Sequence, residues 1–147
     1  MSTQASYTPE EWRTLQFAPL WAFTAVAGAD RSIDQKEMMA LAKELAEAPL
    51  YKDALTREVL MSVGANLQSL MTAYRDDTRD VLTGLKDVAD VLDRKAGPEE
   101  AQNFKQAMLL IVKNVAESSG GMFGSKFSNE EKAAAVLIAQ ALRLKIG

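Results

Sequence analysis

Apolar residues along the chain recur at intervals of three and four, interrupted by proline, glycine or clustered charge, and no window alternates with period two. With no Asn-Gly or Asp-Gly hairpin turn, this pattern predicts an all-α fold, a compact bundle of about seven helices. Thr8-Pro9-Glu10-Glu11 opens the first helix: Thr8 as N-cap, Pro9 where its missing N–H is harmless, and Glu11 closing a capping box. That helix runs through Trp12 and Leu15 to Pro19, where a kink or break is expected. Phe17, Leu20, Trp21, Ala25 and Val26 then read as a buried apolar segment.

Asp34 opens the next helix, with Glu37 three residues on and Ile33 and Met38 as a hydrophobic staple. Its inward positions are expected at Met38, Leu41, Ala42 and Leu45, and Pro49 stops it near Ala48. A further helix, Leu50 to Met61, turns Leu55, Val59 and Leu60 inward. A weak interruption is expected at Ser62-Val63-Gly64, after which Leu67, Leu70, Met71 and Tyr74 resume the pattern. The aspartates of Arg75 to Asp80 read as a turn capping a helix with Val81, Leu82, Leu85, Val88, Ala89 and Leu92 inside. Ala96-Gly97-Pro98 is a stop and restart. Phe104, Met108, Leu109, Ile111, Val112 and Val115 then mark a long helix ending near Ser118. Gly120, Gly121 and Gly124 form a Gly-rich connection. The last helix, from Ser128 through Leu144, is apolar enough that burial on nearly all sides is expected.

Val26 to Leu45 has a counterpart in Val115 to Ala139. In each, an apolar helix and a small-residue turn lead to an apolar-cap-x-x-Glu string: Ile33-Asp34-x-x-Glu37 and Phe127-Ser128-x-x-Glu131. Two pseudo-repeated helix-turn-helix halves, related by a pseudo-two-fold axis, would give this pattern.

The chain has 147 residues, 48% of them hydrophobic, which suits a single domain over 1–147 with residues 1–7 flexible. A net charge of −3 provides no basic field for nucleic acid. The absence of cysteine and histidine removes disulfides, thiolate nucleophiles and the commonest metal ligand and general base. No run reaches the ~20 apolar residues of a membrane span, and the first residues lack a signal-peptide pattern. A cytoplasmic protein without membrane insertion is therefore expected.

The string Ala27-x-Ala29-Asp30-x-x-Ile33-Asp34-x-x-Glu37, echoed near the carboxyl terminus, resembles the TerB-like family of tellurite-resistance-associated proteins, whose pattern is similar to A-x-A-D-G-x-I-S-x-x-E. The likeness extends over residues 17 to 144. It implies a compact all-helical, non-enzymatic module of bacterial stress response, with Asp30, Asp34 and Glu37 holding a divalent cation such as calcium or magnesium. Arg31 stands where the family has glycine. The second junction has Ser118-Ser119-Gly120 and a Gly-rich insertion in place of Ala-Asp-Gly, so the metal expectation rests on the first junction alone.

The residues themselves leave two readings of that junction open. Asp30, Ser32, Asp34 and Glu37 are hard oxygen donors of the kind calcium and magnesium require, but a capping box already occupies Asp34 and Glu37, and Arg31 and Lys36 oppose a cation. An EF-hand fits in neither register: one puts Leu41 at the bidentate glutamate position, the other puts Val26 and Gly28 at ligand positions. Gly121-Met122-Phe123-Gly124-Ser125-Lys126 lacks the Gly-Lys-Ser order and preceding strand of a phosphate loop, and reads as a helix connection. Asp76 and Asp77 read as solvated caps, and Trp12, Phe17 and Trp21 as core. The alternative function is a metal-free protein–protein interaction domain using the Gly-rich loop 120–127, with a protein partner or self-association. A metal-dependent carboxylate hydrolase is the third class weighed.

Overall fold

A computed structural model describes residues 3–27, 35–118 and 129–144. Among them the chain forms seven α-helices: α1 (Pro9–Ala27), α2 (Gln35–Ala46), α3 (Ala54–Ala65), α4 (Leu67–Asp76), α5 (Val81–Lys95), α6 (Pro98–Ser118) and α7 (Asn129–Ala141). Two short 3-10 turns, Thr3–Ser6 and Ala48–Leu50, precede α1 and α3. The described residues contain no strand, so the fold is all-α. Within the first seven residues, expected to be flexible, Thr3–Ser6 makes its turn and Tyr7 is buried against Trp12 with ring centroids 5.8 Å apart.

Helix starts follow local chemistry. At α1 the Thr8 N–H donates to Glu11 Oε1 at 2.9 Å and the Glu11 N–H donates to Thr8 Oγ1 at 3.0 Å, a reciprocal capping box. Asp53 caps α3, accepting from the Thr56 N–H at 3.0 Å and hydroxyl at 2.9 Å. Asp80 caps α5, accepting from the Thr83 N–H at 2.7 Å. Each such cap is worth about 1 kcal/mol. The break between α3 and α4 falls at Asn66, two residues beyond the expected interruption. Asn66 folds its side-chain amide onto the Ser62 carbonyl at 2.9 Å, and this local bond ends the helix where Gly64 does not.

α1 is the central helix and packs against α3, α4, α5, α6 and α7. It passes through Pro19 without interruption, where a kink or break had been expected. Pro19 is buried, and the flanking Ala18, Leu20 and Trp21 are almost completely enclosed, so packing offsets the roughly 3 kcal/mol that an interior proline costs. Phe17, Trp21 and Tyr74 meet edge to face, with centroid separations of 5.4, 5.6 and 6.1 Å. Buried Thr24 and the Tyr74 hydroxyl satisfy each other at 2.7 Å, and Thr24 also donates to the Leu20 carbonyl.

α1 and α5 run antiparallel, since Glu11 faces Arg94 and Lys95 while Trp21 faces Gly84. Gly84 makes this pair close: a Cβ there would lie 2.2 Å from Trp21 Cε2. α1 and α6 begin near one another, since Tyr7 feels the charge of Glu100. α1 packs on α6 and on α7, and α6 packs on α2.

Three inward assignments are corrected. Ala42 is exposed on α2 and Leu82 is 45% exposed on α5. α7, expected to be buried on nearly all sides, turns Val136 (52%) and Leu137 (51%) outward, because it lies on the surface of α1 and α5 and is enclosed there through Ala134, Ile138, Ala139 and Ala141.

Candidate functional site

The most elaborate polar arrangement among the described residues centres on Arg79, in the turn between α4 and α5. Asp77 makes an Asx turn, its Oδ1 accepting from the Arg79 N–H at 2.9 Å. The same carboxylate grips the guanidinium, with Nη2 donating to Oδ2 at 2.8 Å and Nε to Oδ1 at 3.1 Å. Nη1 donates to Asp87 Oδ2 at 3.1 Å and to buried Thr14 Oγ1 at 3.3 Å, and the guanidinium carbon lies 4.7 Å from the Trp21 ring centroid. Hydrogen bonding to Asp77, reinforced by Asp87, holds the Arg79 pKa above its usual value despite partial burial.

Arg79 lines a groove of about 430 Å³ between α1 and α5. Arg13, Arg79 and Arg94 there face Glu10, Glu11, Asp87 and Asp90, so the walls carry both signs and no cationic surplus. A guanidinium held by two carboxylates, a hydroxyl and an indole face acts as a brace that ties the α4–α5 turn to α1. Asp77, expected as a solvated cap, is one jaw of this brace with its side chain 15% exposed.

A second node joins α5, α6 and the end of α7. Lys105 is 4% exposed, and its ammonium donates to Asp93 Oδ1 at 3.1 Å, while Arg143 pairs with Asp90 and with Asp93 Oδ2. Arg143 has φ 58°, the left-handed region. Its N–H donates to the Gln140 carbonyl and the Leu144 N–H to the Ala139 carbonyl, a Schellman motif with arginine where glycine is usual. Sequence alone marks none of Arg79, Lys105 and Arg143 as a structural node. An arginine two residues after an aspartate at a turn was the one available signal, and nothing local marks the other two.

The acidic end of α1 is electrostatically mixed. The Thr8 backbone N–H, with Lys95 and Arg94, holds the Glu11 pKa below the ordinary carboxylate value. Burial, then Asp53 and Glu58, raises that of Glu100. Burial first, then Glu100, Glu11 and Asp53, pushes the Tyr7 phenol up to about 12.

Of the residues expected to hold a cation, Asp30 and Asp34 lie outside the described residues. Glu37 falls in the first turn of α2, which begins at Gln35 directly after Asp34, but its side chain is likewise outside them. The Gly-rich loop 120–127 also lies outside. Among the described residues no group of three or more acidic, His or Cys side chains converges in a way that could hold a metal ion. Nor is any described helix long and apolar enough to cross a membrane.

No family model and no solved structure matches the chain. It is similar to the uncharacterized protein ORF11' of Methanothermobacter thermautotrophicus, at 30% identity over 125 residues that span 83% of each chain. The chain belongs to the family of that ORF11' protein.

Proposed function

We propose that this protein is a non-enzymatic TerB-like helical module of a bacterial stress or tellurite-resistance context, taking a divalent cation at the junction between α1 and α2 through Asp30, Asp34 and Glu37. The observation that carries this reading is the acidic string Asp30-x-x-Ile33-Asp34-x-x-Glu37, set between a buried apolar helix and the start of α2 and resembling the family pattern. The packing of α1 on α6 and α7, and of α2 on α6, supports it, because it fixes the two helices that flank the junction. Oxygen-only donors suit calcium, magnesium or manganese better than softer metals. Titration calorimetry with these three cations tests the reading. Wild type is expected to give a saturable isotherm that Asp30→Ala loses; no heat from wild type would falsify the cation assignment.

A second reading is a metal-free interaction domain that contacts a protein partner, or another copy, through the Gly-rich loop 120–127. It is favoured by Met122 and Phe123, two large apolar residues set between Gly121 and Gly124, and by the outward Val136 and Leu137 on the helix that follows. Deleting Met122 and Phe123 is then expected to abolish partner capture with helicity unchanged, whereas unaltered capture removes the reading.

A further inference from the structure

We draw no further inference here: the strongest candidate, the hollow of about 710 Å³ between the end of α5, the start of α6 and the end of α7, lined by Lys105, Asp93 and Arg143, carries nothing because Asp93 and Asp90 already pair with both cations and leave no charge surplus that would select a ligand.

Discussion

Replacing Gly84 with alanine sets two physical effects of opposite sign against each other. Gly84 is interior to α5, and on helix propensity alone alanine stabilises by about 1 kcal/mol. The added methyl, however, would lie 2.2, 2.4 and 2.6 Å from Trp21 Cε2, Cδ2 and Cζ2. Relaxed carbon contacts need roughly 3.5–4.0 Å, so α1 and α5 must separate or the indole must move by more than about 1 Å. The indole has little room, being fully buried, backed edge to face by Phe17 and Tyr74, and covered on one face by the Arg79 guanidinium. Overpacking of this kind costs about 1–3 kcal/mol, and a rigid ring places the site at the upper end. The net expectation is a loss of about 2 kcal/mol, read as a fall of about 4–8 °C in Tm. Urea denaturation followed by circular dichroism should show a lower midpoint with an unchanged slope. In a Trp21→Leu background the same Gly84→Ala change is expected to become neutral or stabilising, a coupling that isolates the contact. Stabilisation by Gly84→Ala in the wild-type background would refute the close packing of α1 on α5.

At position 143, glycine relieves the left-handed backbone while alanine keeps the strain, and both lose the half-exposed ion pairs; Arg143→Gly is expected to exceed Arg143→Ala in stability by about 1 kcal/mol by thermal denaturation. Asp93→Ala strands the buried Lys105 ammonium and is expected to cost about 3 kcal/mol in denaturant, whereas Lys105→Met leaves Asp93 paired with Arg143 and should cost under about 1 kcal/mol. The two shifted glutamates predict opposite pH behaviour. Glu11, with a depressed folded pKa, contributes stability above its ordinary value of 4.5 that is lost as pH falls through the depressed value, so Glu11→Gln flattens the acid limb. Glu100, with a raised folded pKa, opposes folding above that value and not below 4.5, so Glu100→Gln is expected to stabilise at neutral pH with a gain that vanishes towards pH 4. Denaturant midpoints measured across that range check both signs.

The helices were legible because their signals are local. The Thr8–Glu11 box, the Asp80 cap and the Gly97-Pro98 restart act within a turn of themselves, and each stands where the sequence puts it. What escaped depends on partners distant in sequence. Pro19 reads as a break until it is found buried inside a helix enclosed by its neighbours, and Gly84 reads as a weak helix position until Trp21 is found against it. Lys105 of α6 is buried where Asp93 of α5 meets it, a pairing that periodicity does not encode. Val136 and Leu137 look like core because hydrophobicity reports what a side chain tolerates, whereas exposure depends on whether another helix covers it. Of the sequence-derived cation site, α2 begins directly after Asp34, as the capping pattern requires.

The cation assignment is tested most directly by thermal denaturation with and without calcium, magnesium or manganese, in wild type and Asp30→Ala. A cation that binds only the folded chain at a concentration about 100 times its Kd adds about 2.7 kcal/mol. For a chain of this size that raises Tm by about 5–10 °C. The account predicts such a rise for wild type with at least one of the three ions and none for Asp30→Ala. Equal Tm values with and without every ion, or equal rises in both proteins, would contradict it.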